Sequence, residues 1–162
     1  MAGMRLAVAV MLVWAGAAQA APAVQVPSVQ VRSVQVEGMV AHPGPVALDR
    51  LTQTDVTAKF ATMHGVQAHT WRGPLLLDVV NTAGVKDEPG KKTHFRHTFL
   101  AWGADGYGVA IAMGEIDPKG EGKQVIVAVA EDSKPLDAPR LIVPGDHAFA
   151  RGVRALTRVE VR

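Results

Sequence analysis

Asp146 and Arg151 share one short loop in the stretch LIVPGDHAFARGV (141–153), where an apolar run stops at Pro144-Gly145 and resumes at Val153. A carboxylate and a guanidinium so placed can hold a planar, polar ligand with an anionic tail. The alternative is a solvated turn in which the two pair with each other, worth little when exposed. Two more stretches carry side chains of the same kind. GADGYG (103–108) offers Asp105 and Tyr107, and Glu115 follows Gly114 at the end of an apolar run. Thr62 to Arg72 holds Thr62, His64, Trp71 and Arg72. Each also has a structural alternative. Asp105 in a Gly-flanked turn can serve its own backbone. Tyr107 suits a core edge or a pocket wall equally. His64 suits a solvated turn beside Gly65, Arg72 a surface ion pair, and Trp71 the core.

Other chemistries are excluded. The 162 residues contain no cysteine, which removes thiolate nucleophiles and the commonest soft metal ligand. His94 and His97 form an H-x-x-H, but on a strand residues three apart point to opposite faces. Six scattered histidines without H-E-x-x-H predict no metal site. Neither a G-x-S-x-G nor a P-loop is present, and GADGYG joins two strands instead of opening a helix. A net charge of +2, scattered Lys and Arg, and 5% aromatics give no reason to expect a nucleic-acid partner.

The elements that must position these groups can be outlined. Residues 1–20, MAGMRLAVAVMLVWAGAAQA, have one early cation, an apolar stretch and an A-x-A ending, the pattern of a secretory signal peptide cleaved after Ala20. That predicts a periplasmic or secreted protein. Residues 21–33 repeat Val-Gln-Val with a period of five, which suits neither strand nor helix, so an extended leader is expected there. The domain proper spans 34–162, with Val34–Val36 entering the first strand. VTAKFATMHG alternates as a strand, and WRGPLLLDVVNTAGV has apolar residues at helical spacing between Pro74 and Gly84. HTFLAWGADGYGVAIAM predicts a hairpin. KQVIVAVAED predicts a central strand buried on both faces, and RLIVPGD another strand. The last stretch alternates Ala155, Thr157, Val159 and Val161 against Arg154, Arg158, Glu160 and Arg162. Several short strands with one good helix make an α+β domain with mixed sheets.

VEGMVAHPGPVALDRL, WRGPLLLDVVNTAGV, GADGYGVAIAMGEIDP and RLIVPGDHAFARGVRALTRVEV, in that order, resemble the sulfite-oxidase-like molybdopterin-binding domain family from about Val34 to Val161. The resemblance implies a compact α+β fold and, in active members, a molybdenum-pterin cofactor held by a cysteine thiolate. Counting back from Gly73, that ligand position falls near Ala61 or Thr62. This chain therefore resembles an exported, cysteine-lacking branch that includes periplasmic pterin-binding proteins acting in signalling.

A pterin needs an aromatic or apolar face, an acceptor for its aminopyrimidinone edge, and a cation for any anionic tail. Trp71 or Tyr107 would cover the ring. Glu115, Asp105 or Asp146 would accept its N–H donors, and Arg151 or Arg72 would take the tail, with Thr62 and His64 completing the wall. The reading is an exported, non-catalytic binding protein for a pterin or molybdopterin-like ligand, serving a membrane-bound sensor or redox partner. One alternative is a molybdopterin-dependent oxidoreductase without a cysteine ligand. The other is an interaction domain with a vestigial pocket.

Overall fold

The computed structural model describes residues 32–162. The signal peptide and nearly all of the leader expected from the sequence lie outside the described residues. Val34 and Val36, two apart, share the buried face of β1 (Ser33–Gly38). This strand pairs antiparallel with β2 (Gly44–Ala47) and parallel with β9 (Leu156–Val161). β9 in turn lies antiparallel to β5 (Thr98–Gly103), which forms a hairpin with β6 (Gly108–Ala112). The first sheet thus has the order β2-β1-β9-β5-β6. The second is antiparallel, in the order β3-β4-β7-β8, from β3 (Thr54–Thr62), β4 (Gly65–Gly73), β7 (Ile126–Glu131) and β8 (Lys134–Ile142). Two short helices, α1 (Leu76–Thr82) and α2 (Met113–Ile116), complete an α+β domain of mixed sheets.

The unbroken apolar run of β7 is buried on both faces, as its composition predicts. Val127 and Val129 join the main core with Leu76, Val79 and Val80 of α1 and with Val34, Phe99 and Val159 of the first sheet. Ile126 and Ala128 point the other way, into a smaller cluster with Val56, Phe60, Trp71 and Ile142. Gly73 is what lets β4 lie so close to β7. A Cβ there would stand 2.1 Å from the Val127 carbonyl oxygen, a backbone atom that cannot step aside.

Three local expectations are corrected. β3 and β4 form one hairpin, paired from Thr54↔Gly73 to Thr62↔Gly65. β4 is exposed over Gly65–Ala68 and buries only Trp71 and Gly73 toward its end, so its sequence shows no alternation to detect. Trp71–Gly73 consequently belong to β4, and the helix starts at Leu76 behind an extended Leu75. His94 does not lie on a strand. Thr93–Arg96 is a 3-10 turn that brings the His94 and His97 rings 6.4 Å apart, each facing Asp87 at 3.6 and 2.8 Å. In the closing strand the register against β5 shifts at Trp102/Gly103, and Ala155 takes a positive φ of 47°. Leu156 is thereby buried with Val159 and Val161, and Thr157 is exposed instead of sharing their face. A β-bulge adds one residue and so reverses the inward set beyond it.

Candidate functional site

The chain between β8 and β9 is the meeting point of the expected site segments. Leu141 and Val153 bridge its two ends, and Gly145 (φ 88°) makes the turn. The carbonyl of His147 accepts the Ala61 amide at 2.8 Å, tying the loop to the end of β3. The Tyr107 hydroxyl, from the β5–β6 hairpin, donates to the Ala150 carbonyl. Arg151 donates to both oxygens of Asp146 at 2.6 and 3.0 Å and to both of Glu115 at 3.0 and 3.2 Å. Lys123 reaches Glu115 at 3.3 Å.

The charges of this network stabilise one another. Burial alone would raise the Glu115 carboxyl, but hydrogen bonds from Arg151 and the Ala112 amide and the Arg151 charge hold it below its ordinary value. The hydrogen bonds to Asp146, with those to Glu115, raise Arg151 against its own desolvation. Glu115 sits in α2, not at a strand end, and its carboxylate accepts the Ala112 N–H at the helix start at 3.3 Å.

On the far side of the same loop Phe149 closes an aromatic cleft. Its ring meets Phe60 edge-on at 5.3 Å and lies nearly parallel to Trp71, at 23° and 6.4 Å. Gly152 permits this placement, because a Cβ there would fall 2.2 Å from the Phe149 ring. The open space is about 180 Å³. That is below the roughly 300–1,000 Å³ of drug-sized pockets and suits one small ring system. Thr62, Gln67, His69, Glu131, Arg140 and Arg154 supply its polar lining. The Arg140 guanidinium lies 5.8 Å from the Trp71 ring centroid and 3.2 Å from Glu131. Arg154 makes no ion pair among the described residues. The indole Nε1 of Trp71 is buried and finds no hydrogen-bond acceptor there either. The Trp102 indole Nε1 is buried and unpaired in the same way, away from the cleft, so this feature does not by itself mark a ligand.

The nine residues expected from the sequence divide accordingly. Thr62 and Trp71 line the cleft. Glu115, Asp146 and Arg151 converge, but on one another, as a brace under the loop. Tyr107 is a strut to that loop. Asp105 accepts the Tyr107 amide at 3.0 Å and serves its own turn. Arg72 pairs with Asp55 at 3.0 Å on an exposed strand face, and His64 is exposed at the β3–β4 turn. Neither lines the cleft. Phe60, Gln67, Glu131, Arg140, Phe149 and Arg154 were not foreseen. Trp71 and Phe149 are 78 positions apart in sequence, and no local pattern connects them.

The donor set does not fit molybdenum. Of Ala61 and Thr62, near which the resemblance places the metal ligand, Ala61 has no donor atom and Thr62 uses its hydroxyl in the hairpin turn. It donates to the Gly65 carbonyl at 2.8 Å and accepts the His64 amide at 3.1 Å. A neutral hydroxyl so committed is a poor substitute for a thiolate on a soft metal.

No family model matches the chain, and no curated protein matches it. Among solved structures, the sulfane dehydrogenase SoxCD from Paracoccus pantotrophus matches with a TM-score of 0.63 at 21% identity. The match covers 80% of this chain and 38% of that one. This chain therefore spans well under half the length of its neighbour, and what the two share is a fold.

Proposed function

We propose that this chain is an exported, non-catalytic member of the sulfite-oxidase-like fold group that binds a pterin-type heterocycle in the Phe60–Trp71–Phe149 cleft. The observation that carries the reading is the set of three aromatic rings, Phe60, Trp71 and Phe149, around a space sized for one ring system. The three demands of a pterin find residues here. Phe60, Trp71 and Phe149 offer apolar faces. The Gln67 amide presents both a donor and an acceptor to a heterocycle edge, and Arg154 offers a cation to an anionic substituent. Arg140 stands at the outer limit of a cation–π contact, about 6 Å, so a flat ligand displaces a weak interaction when it enters. Thr62 on the same wall supports the family reading, since the resemblance places the family's cofactor near Ala61 or Thr62.

The test is made on full-length protein purified from the periplasm of its native host. Released small molecules are identified by fluorescence and mass, and molybdenum is measured on the same sample. A pterin without stoichiometric molybdenum is the expected result. Absence of any pterin, together with no saturable binding of added oxidised or reduced pterin, overturns the proposal.

A further inference from the structure

At the rim of the cleft, β4 and the β7–β8 turn bring three metal-ligating side chains together. The sequence predicts no metal site, because His69 and Asp132 are 63 residues apart and fit no ligand spacing. In the fold His69 Nδ1 faces two carboxylates at once, Asp132 Oδ2 at 2.7 Å and Glu131 Oε1 at 3.5 Å. One candidate ligand atom from each of His69, Glu131 and Asp132 lies within 4.8 Å of the other two.

These separations suit a cation. With metal–ligand bonds of about 2.1 Å, neighbouring donors stand roughly 3.0 Å apart in an octahedron and 3.4 Å in a tetrahedron. The two measured spacings bracket that range. The other oxygen of each carboxylate is already held from outside. Asp132 Oδ1 accepts the Thr70 amide at 2.9 Å, and Glu131 Oε2 accepts Arg140 at 3.2 Å. Such outer partners orient ligating carboxylates in metal sites. Asp132 is set by the turn itself, with Asp132 and Ser133 both left-handed (φ 47° and 65°) as a two-residue hairpin turn requires. Beyond the triad a depression of about 220 Å³, bounded also by Lys134, Pro135 and Leu136, leaves room for water to complete the coordination.

We infer that His69, Glu131 and Asp132 form a binding site for a divalent first-row transition cation such as Zn²⁺, open to solvent on one side. One imidazole with two carboxylates favours such ions over Mg²⁺ and Ca²⁺, which prefer all-oxygen shells. The cation takes the place of the direct contact between His69 Nδ1 and Asp132 Oδ2. This inference does not rest on the pterin reading, and its test uses metal alone.

Chelator-treated full-length protein is titrated with Zn²⁺ by calorimetry and with Co²⁺ by visible absorption. One equivalent should bind, and excess Mg²⁺ should not displace Co²⁺ from its visible band. Affinity should fall by about a hundredfold or more in His69→Ala and in Asp132→Asn, since losing a ligand costs at least as much as losing one of its outer partners. His64→Ala, altering an exposed histidine at the neighbouring hairpin tip, should bind like the parent. Asn tolerates the left-handed turn position and keeps an oxygen for the Thr70 amide, so Asp132→Asn reports on ligation even if His69→Ala folds poorly. Absence of saturable one-equivalent binding overturns the inference. So does binding that survives both ligand substitutions.

Discussion

Arg151 and Glu115, 36 residues apart in the chain, are joined by a two-pronged ion pair at 3.0 and 3.2 Å while Arg151 also grips Asp146. One guanidinium thereby fixes the β8–β9 loop against α2. The loop so fixed presents Phe149 to Trp71, which links an ion network on one side to an aromatic cleft on the other.

Replacing Arg151 with Met should therefore do more than remove a surface pair. It leaves two carboxylates facing each other, with side chains only 16% and 25% exposed. A fully buried broken pair costs about 3–5 kcal/mol and an exposed one under about 1, so this half-buried site should cost about 1–2 kcal/mol. Urea unfolding measures it. A change within error would show that water compensates the loss and that the loop is held by Tyr107 and Phe149 instead.

Acid should loosen the same brace. Glu115 titrates below its ordinary 4.5 in the folded protein, so its contribution is complete above 4.5 and is lost as pH falls through its lower folded value. Unfolding free energy should decline below about pH 4.5, and Glu115→Gln should flatten that decline. Parallel pH profiles for parent and variant would remove Glu115 from the linkage.

Trp71→Phe separates packing from hydrogen bonding. The ring is buried but its N–H is unpaired, so losing it breaks no hydrogen bond with the described residues. Stability should change by less than about 1.5 kcal/mol, whereas Trp71→Ala should cost about 3–5 kcal/mol. The phenyl ring keeps an apolar wall, so Trp71→Phe should weaken pterin binding by less than about tenfold, whereas Trp71→Ala should weaken it by more. Equal affinities of parent and Trp71→Ala by titration would place Trp71 outside the contact.

Gly152→Ala should displace Phe149. The added methyl would meet the ring at 2.2 Å, and a side chain can swing away where backbone cannot. The expected cost is about 1–3 kcal/mol, as for other overpacked sites. Ligand affinity should fall with it, since the cleft loses a wall. A variant as stable and as competent as the parent would show that Phe149 is not needed to close the site.

Much of the scaffold was legible in the chain alone, for local reasons. The run from Ile126 to Val129 announces a strand buried on both faces because every position is apolar. GADGYG marks a hairpin because glycine and aspartate suit tight turns. Leu76, Val79, Val80 and Ala83 mark α1 because they repeat at helical spacing. β4 was not legible, since a largely exposed strand carries no period. The bulge before Val159 was not either, because it arises from pairing with β5 and not from the residues of β9. The candidate sites lie further still from sequence. Asp146 and Arg151 were visible as a charged loop, but whether they meet a ligand or each other depends on Glu115 arriving from α2. Trp71 meets Phe149, and His69 meets Asp132, only because strands distant in sequence are neighbours in space. Composition and periodicity act over a few residues and specify elements, whereas a site is made of contacts between elements, which only the packed chain decides.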